Sequence, residues 1–310
     1  MQEYYKRQRG DRYDGYRIRK LDGVLTLMPY LQRTRLDSQC FFEDVLEIGN
    51  LEKFVEQKKA EIPGLSIMHV IIAGIVRAIS QWPYLNRFLV HHKLYAHKTI
   101  QLSMMVKRSL DPHEPETAIR PVFDPFDTLY EVAAKINKEV EACRTSGENN
   151  ETDAAVELLG HLPDWLIKLV AWYIRYSDNR RFMPKFLYEA SPYHASAFVA
   201  NLGSLGIDSV FHHLYEFGTC SFFLTIGKKH RQTKLDKNGK PVTVKTMNLR
   251  YVVDERVCEG HYNALAIRFI NKLLNNPELL LSPPEKVVLD DGITNKMLID
   301  PNEARVKAAE

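Results

Sequence analysis

Alternation of apolar and polar residues marks strands in the first half of the chain. The segment "CFFEDVLEI" (40–48) alternates with a period of two, which predicts a strand. The longer segment "FLVHHKLYAHKTIQLSMMVKR" (88–108) predicts two or three strands, and "AIRPVF" (118–123) predicts another.

Further strands are predicted towards the C-terminus. "SAFVANLGSLGI" (196–207) predicts a strand with a glycine-rich exit, and "CSFFLTIGKKHRQ" (220–232) predicts a second strand. The Asn-Gly pair of "KNGK" (237–240) suits the two positive-φ positions of a type I′ turn. We therefore expect a hairpin whose returning strand is "PVTVKTMNLRYVVD" (241–254).

Helical periodicity accounts for most of the remaining apolar residues. The segment 66–82 is apolar nearly all round, so we expect a buried helix with Ser66 as its N-cap. We interpret His69, on this helix, as a core or boundary histidine. Further helices are predicted over 25–40, 51–61, 127–145 (with Asp127 as its cap) and 260–276.

The segment from Leu162 to Tyr176 is the least ordinary of the chain, because it is apolar on nearly all sides. Its charged residues are Asp164, Lys168 and Arg175, and the last two fall on one narrow stripe of a helix. Such a helix is buried in a core, buried against a partner, or bound in a membrane interface. The sequence leaves these three environments open.

Composition and element order predict one α+β domain with a mixed sheet. Of 310 residues, 45% are hydrophobic and 26% are charged, which is a core-forming mixture. Strands and helices alternate loosely, without an internal repeat or a linker. We place the domain at 25–281, with an apolar helical insertion at 145–190, a basic arm at 1–24 and a tail at 282–310.

Charge and cysteine usage exclude several functions. The net charge of +3 is too small to indicate a nucleic-acid partner. The basic and tyrosine-rich segment 4–20 is interpreted as a solvated arm that packs its tyrosines on the body or on a neighbouring subunit. The cysteines lie far apart without metal-ligand spacing, and the first 20 residues lack the apolar core of a signal peptide. We expect reduced thiols in a cytoplasmic protein, no metal site and no nucleic acid.

Several short motifs follow one another in an order typical of a known family. The turn "DERVCEG" (254–260) precedes a helix and "NNPELLL" (275–281); upstream lie "QWPYLNRFL" (81–89), "HKTIQLSMMVKR" (97–108) and "FVANLGSLGI" (198–207). They resemble the D-H-R-x-x-D-G turn, the "ENPELLL"-like ending and the F-T-I-S-N-L-G strand of dihydrolipoyl acyltransferases. Those are the core subunits of 2-oxoacid dehydrogenase complexes, related to chloramphenicol acetyltransferase. The resemblance covers most of the chain.

The resemblance implies a chloramphenicol acetyltransferase-like mixed-sheet sandwich that assembles as a trimer or as a higher assembly of trimers. Active sites then lie at subunit interfaces, and coenzyme A or an acyl-CoA is the expected substrate. In the family, a histidine takes the proton from a thiol, the thiolate attacks an acyl thioester, and a serine stabilises the oxyanion. Lipoyl and subunit-binding modules are expected to be absent, so no lipoyl attachment is expected on this chain.

At the functional positions of the family, this chain carries other residues. Glu255 stands at the histidine position, Glu259 at that of a structural aspartate, and Ala200 at that of the oxyanion serine. Moving a thiol proton onto an ordinary glutamate costs about 3 kcal/mol more than onto a histidine. A lost oxyanion donor costs a further ~10²–10³ in rate. We therefore expect impaired or altered acyl transfer. The retained scaffold residues are Asp254, Arg256, Gly260, Asn201, Gly203 and Gly206.

Other polar residues near these positions are weak substitutes. We interpret Cys258 as a buried, inert thiol and His261 as the start of the last helix, facing away from the site. Ser196 shares a strand face with Ala200 but lies roughly 13 Å away, too far to replace its missing hydroxyl. His194 precedes the same strand, and two glutamates without a third ligand are a weak metal signal.

Two hypotheses follow from the sequence. In the first, the chain is a CoA-dependent acyltransferase in which Glu255 acts as an altered base. In the second, it is a non-catalytic trimeric scaffold or binding protein whose apolar 162–176 helix contacts a partner or a membrane surface.

Overall fold

The computed structural model describes residues 8–107, 116–145, 162–290, 292 and 297–299. The helices of this part are α1 (Gly23–Leu31), α2 (Gly49–Lys58), α3 (Ile67–Gln81), α4 (Leu129–Thr145), α5 (Asp164–Arg180), α6 (Lys185–Ala190) and α7 (Gly260–Asn275). The strands are β1 (Gly15–Arg17), β2 (Gln39–Glu47), β3 (Arg87–Val90), β4 (Lys93–His97), β5 (Ile100–Lys107), β6 (Glu116–Ile119), β7 (Val122–Phe123), β8 (Ala197–Asn201), β9 (Phe222–Leu235), β10 (Pro241–Asp254), β11 (Val287–Leu289) and β12 (Met297–Ile299).

The main sheet has the order β2-β10-β9-β8-β5-β6, with β7 paired to β5. Strand β8 runs parallel to both β5 and β9, whereas the other pairs are antiparallel. The predicted α+β fold with a mixed sheet is confirmed. A smaller sheet, β1-β4-β3, includes the strand β1 from the N-terminal segment, and β11 pairs with β12.

Successive side chains of β8 pack into two different apolar clusters, because the residues of a strand point alternately to opposite faces of the sheet. Ala197 and Val199 belong to the main core, which the residues of α2, α3, α4 and α7 complete. Phe198 belongs to a second apolar cluster, and Ala200 packs against it. The helices therefore cover one face of the main sheet, and Ala200 lies on the other.

The helix α3 is buried along its length, as its sequence predicts. Ser66 and His69 form a reciprocal capping box, in which the Ser66 amide donates to Nδ1 of His69 at 3.1 Å. The other ring nitrogen of His69 lies 3.1 Å from Oδ1 of Asn137, and burial lowers the pKa of this histidine. The interpretation of His69 as a boundary residue is confirmed.

The helix predicted over 25–40 is much shorter. The helix α1 ends at Leu31, a short 3-10 turn spans Leu36–Ser38, and β2 begins at Gln39. The chain leaves the helix because Arg35 must enter the core, where its guanidinium donates to the carbonyl of Gly218 at 2.8 Å. A tertiary contact therefore overrides the local helical pattern.

The predicted hairpin between β9 and β10 is present, but its turn is not of type I′. In the β9–β10 loop only Gly239 has a positive φ, and the side chain of Asp236 accepts from the amides of Asn238 and Lys240, both at 2.8 Å. Positive φ at both loop positions occurs instead at His91 and His92, between β3 and β4. The Asp236 side chain supplies the hydrogen bonds that a two-residue turn would have made.

The predicted cap of α4 is also wrong. The carboxylate of Asp127 accepts from the amide of Asp124 at 2.8 Å and from Nζ of Lys135, so it holds the preceding turn. The helix itself begins at Leu129, directly after Thr128.

The apolar helix α5 lies on the surface, which excludes burial in this chain's own core. Trp165, Leu169 and Trp172 are 67%, 52% and 59% exposed. In the part of the chain that the structure describes, none of the helices combines the length and apolarity needed to cross a membrane.

Candidate active site

The polar turn 255–259 joins the end of β10 to the start of α7 and lies against the beginning of β2. Asp254 is opposite Gln39 in the β2–β10 ladder, and the amide of Glu255 donates to the carbonyl of Ser38 at 2.9 Å. The turn is thus fixed by strand pairing with a segment more than two hundred residues earlier in the sequence.

A buried ion cluster holds the turn in shape. Arg256 donates to the carboxylate of Asp254 through Nε at 2.9 Å and through Nη2 at 2.7 Å, and Nε of Arg35 lies 3.8 Å from the same carboxylate. Burial lowers the pKa of Arg35, and the charge of Asp254 opposes that effect. Two guanidinium groups therefore share one buried carboxylate.

Glu255, which the motif resemblance assigns to the histidine position, directs its carboxylate at two side chains from the N-terminal part of the chain. Its Oε1 accepts from Nε2 of Gln32, and its Oε2 accepts from Sγ of Cys40 at 3.2 Å. Glu255 is half-buried, and so is Cys40. Burial, together with this hydrogen bond, raises the pKa of Cys40 to about 11. The thiol form of Cys40 therefore dominates at neutral pH.

Glu259, which the motif resemblance assigns to the aspartate position, occupies the N-cap of α7 and is exposed. Its side chain makes no cap hydrogen bond to the helix. In the described part of the chain, the charge pairing that fixes the turn comes from Asp254 and the two arginines instead.

Ala200, which the motif resemblance assigns to the serine position, is distant from Glu255 within one chain. The ladders align Ala200 with Thr225 and Arg250, whereas Cys40 lies beside Val253. Three strand spacings, about 14 Å, therefore separate Ala200 from Cys40, in addition to an offset of roughly 10 Å along the strands. Cys40, which Glu255 contacts, packs against the main core, whereas Ala200 packs against the apolar cluster on the other face of the sheet. A single chain does not bring them together.

Comparison with known proteins identifies the fold. No protein-family model and no curated protein matches the chain. The cubic core of the pyruvate dehydrogenase multienzyme complex matches with a TM-score of 0.54 at 15% identity, over 85% of this chain and 94% of that chain. The dihydrolipoamide acetyltransferase of Azotobacter vinelandii gives 0.53 at 15% identity, over 85% and 94%. This chain has the dihydrolipoamide acetyltransferase fold. Chloramphenicol acetyltransferase matches as well, with a TM-score of 0.51 at 11% identity over 84% and 99%.

Two glycines of the acetyltransferase-like motif 198–207 occupy positions where a side chain would clash or where the backbone conformation is left-handed. A Cβ on Gly203 would lie 2.5 Å from the carbonyl oxygen of Gly227, and Gly206 has a φ of +75°. This motif leads the chain from β8 to the rim of a cavity of about 660 Å³. Its polar lining includes the lysines Lys53, Lys59, Lys228 and Lys229 together with Asn201.

The other polar candidates have structural surroundings. Cys258 is buried and donates to Oδ1 of Asn263 at 3.0 Å, and burial raises its pKa to about 12. This confirms the interpretation of a buried thiol. His261 is exposed at the start of α7. Ser196 is buried and accepts from the amide of Gln101 at 3.0 Å, while His194 is fully buried, 3.4 Å from Asp178. These contacts anchor β8 and the segment before it.

Sequence reasoning missed Gln32, Arg35 and Cys40, which complete the surroundings of the turn. The alternation of 40–48 signals that Cys40 faces the same side as Phe42. No local signal shows that this strand pairs with β10, so the contact between Cys40 and Glu255 is a product of sheet topology.

Proposed function

We propose that this chain is a trimer-forming acyltransferase-fold protein that binds coenzyme A or an acyl-CoA, and in which acyl transfer by the family mechanism is impaired or altered. The observation that carries this proposal is the carboxylate of Glu255 at the histidine position. Both of its oxygens are engaged, one by Gln32 and one by Cys40. An incoming thiol would have to displace the Cys40 thiol from Glu255 before it could transfer its own proton to that carboxylate.

Binding of coenzyme A is supported by the cavity beside Asn201. Lys53 and Lys228 line it and are exposed, so their ammonium groups suit the phosphates of the ligand. Lys229 and Lys59 are already paired with Glu52 and Glu56, at 2.5 Å and 2.8 Å. Lys53 and Lys228 are therefore the favoured phosphate contacts.

Trimer formation is supported by the separation of Glu255 and Ala200. The resemblance to the family implies sites shared between subunits, and such sharing would bring Glu255 of one subunit towards Ala200 of another, which a single chain does not do. The pyruvate dehydrogenase core, whose fold this chain shares, forms a cubic assembly, and this supports an assembly of several subunits here. Analytical ultracentrifugation tests this part: a monomer at micromolar concentration would contradict it.

Calorimetric titration with coenzyme A and acetyl-CoA tests the binding proposal. We expect Lys53→Glu or Lys228→Glu to weaken binding by about tenfold or more, since a charged hydrogen bond is lost. Lys138→Glu, on the exposed side of α4, is the matched control and leaves the affinity unchanged. If neither ligand binds, the proposal is wrong.

Restoring the family's residues tests the catalytic part. Glu255→His combined with Ala200→Ser supplies a base of higher pKa and an oxyanion donor, so acetyl transfer to a small thiol is expected to rise by roughly 10²-fold or more. Each single variant should give less. Rapid transfer by the natural sequence, unchanged in Glu255→Gln, would show that this position has no role.

A second candidate function rests on α5. Trp165, Leu169, Trp172 and Tyr176 recur at helical spacing on its exposed side. Such a surface supports a non-catalytic scaffold or binding role, in which the helix contacts a partner or a membrane surface. The free thiols of the chain support a cytoplasmic location, which we also propose.

A further inference from the structure

Cys40, Glu255 and Gln32 form a chain of hydrogen bonds in the order of nucleophile, base and orienting group. Sγ of Cys40 donates to Oε2 of Glu255 at 3.2 Å, and Nε2 of Gln32 donates to Oε1 of the same carboxylate. Enzymes that form covalent intermediates activate a thiol or hydroxyl by this arrangement. Building on the proposed binding of acyl-CoA, we propose that Cys40 accepts the acyl group, with Glu255 as its base.

Accessibility distinguishes Cys40 from the other thiols. Cys143, Cys220 and Cys258 are 5%, 1% and 1% exposed, whereas Cys40 is half-buried. Cys258 donates to an amide oxygen and Cys220 to the carbonyl of Phe222, so neither has a carboxylate that can take its proton. Among the four cysteines, Cys40 alone combines access with a base.

Cys40 is held by a strand, and the turn and segment that carry Glu255 and Gln32 are tied to the fold by hydrogen bonds of their backbone. Cys40 lies in β2 beside Val253, and the amide of Glu255 is bound to the carbonyl of Ser38 at 2.9 Å. The backbone carbonyl of Gln32 accepts from Nη1 of Arg256 at 3.0 Å. Such support keeps reacting groups near their productive geometry.

The step balances without an oxidant or a reductant. Glu255 takes the proton of the Cys40 thiol as the sulfur attacks the thioester carbonyl, and a new carbon–sulfur bond forms. The bond to coenzyme A then breaks, and the departing thiolate recovers the proton from Glu255. One thiol and one thioester are consumed, and one of each is produced. Because the pKa of Cys40 is raised to about 11, proton removal must accompany attack, which is the role that the neighbouring carboxylate fills.

The experiment follows the mass of the intact full-length protein during incubation with acetyl-CoA and, separately, with the acetyl thioester of N-acetylcysteamine. We expect one acetyl group per chain, released by neutral hydroxylamine as thioesters are. Cys40→Ala abolishes this adduct, and so does Cys40→Ser, which keeps a hydrogen-bond donor beside Glu255. Glu255→Gln slows acetylation by about 10²-fold, the usual scale for a lost general base. Cys143→Ala and Glu43→Gln, the latter on the same strand as Cys40, are the matched controls and react like the parent.

Gln32 is a positioning residue, because it acts through Glu255. Gln32→Ala is expected to lower the maximal acetylation rate by about tenfold, the scale of one lost hydrogen bond to a charged group. The acetyl-CoA concentration at half-maximal rate should stay unchanged. A change in that concentration alone would contradict the positioning role.

The outcomes separate this inference from the function on which it rests. Coenzyme A binding without an adduct on Cys40 overturns the inference and leaves the binding proposal standing. An adduct from the small thioester without coenzyme A binding supports the Cys40 chemistry and overturns the binding proposal. Failure of both thioesters, an adduct that survives in Cys40→Ala, or equal rates in Glu255→Gln each overturns the inference.

Discussion

Arg12 and Asp178 tie the N-terminal segment to the exposed helix α5 across 166 positions of sequence. Nη2 of Arg12 donates to Oδ1 of Asp178 at 2.5 Å, and Nη1 donates to its backbone carbonyl at 2.7 Å. Arg12 also donates to Asp14 through Nε at 2.7 Å, and all three side chains are buried. The C-terminal end of α5 is therefore fixed by one buried guanidinium.

Replacing Arg12 with Met should destabilise the protein strongly. The substitution leaves the carboxylates of Asp14 and Asp178 buried without their cation, which typically costs about 3–5 kcal/mol. Urea denaturation measures the change in the free energy of unfolding. Lys185→Met, which breaks the exposed pair with Glu189 and the contact of Lys185 with the Tyr13 ring, should cost less than about 1 kcal/mol. Equal effects of the two substitutions would contradict the assignment.

Replacing Asp254 with Asn should have a comparable effect on stability. Arg35 and Arg256 would then lie buried beside a neutral amide, at a cost of about 3–5 kcal/mol. The matched comparison is Glu43→Gln. Glu43 forms a partly exposed ion pair with Arg250 on the sheet surface, so its replacement should lower the free energy of unfolding by less than about 1 kcal/mol. Thermal unfolding monitored by circular dichroism reports both. A drop of similar size in Glu43→Gln would mean that burial of the cluster does not matter.

His97 should make the protein less stable in acid. Burial lowers the pKa of His97 to about 4, while an unfolded histidine titrates at about 6.5. Between about pH 4 and about pH 6.5, the two pKa values, His97 is therefore protonated in the unfolded chain and neutral in the folded protein. Stability should be complete above about pH 6.5 and fall by about 3 kcal/mol as the pH drops to about 4. Urea titrations across this range should show a shallower loss in His97→Gln, and an identical pH slope in both proteins would refute the prediction.

The exposed residues of α5 should contribute to association and not to stability. Trp165→Ser combined with Trp172→Ser should change the free energy of unfolding by less than about 1 kcal/mol, since both side chains already face water. Light scattering and sedimentation with anionic vesicles or with a cell extract then compare the double variant with the parent. Tyr30→Ser, at an equally exposed aromatic on α1, is the control. Loss of folding in the double variant would show that these tryptophans stabilise the chain itself.

Periodicity predicts elements best where the buried face is wide. The bounds of β10 agree with the sequence pattern, and the buried helix α3 was predicted with its cap, because strong apolar repeats leave few alternatives. The α1 region was mispredicted, since the pattern contains no sign that Arg35 must reach Asp254 and the carbonyl of Gly218. The type I′ assignment of the 237–240 turn was wrong for a local reason, because the side chain of Asp236 accepts from the amides of Asn238 and Lys240.

The sequence alone predicted the mixed α+β fold and the family it resembles, and from the sequence we also propose that Glu255, Glu259 and Ala200 stand at three functional positions of that family. These follow from residue type and order, which need no knowledge of contacts. Only the tertiary structure decided that α5 is exposed, and that the carboxylate of Glu255 meets the thiol of Cys40. Both depend on which segments pack together, and strand pairing between residues 215 positions apart leaves no local trace in the sequence.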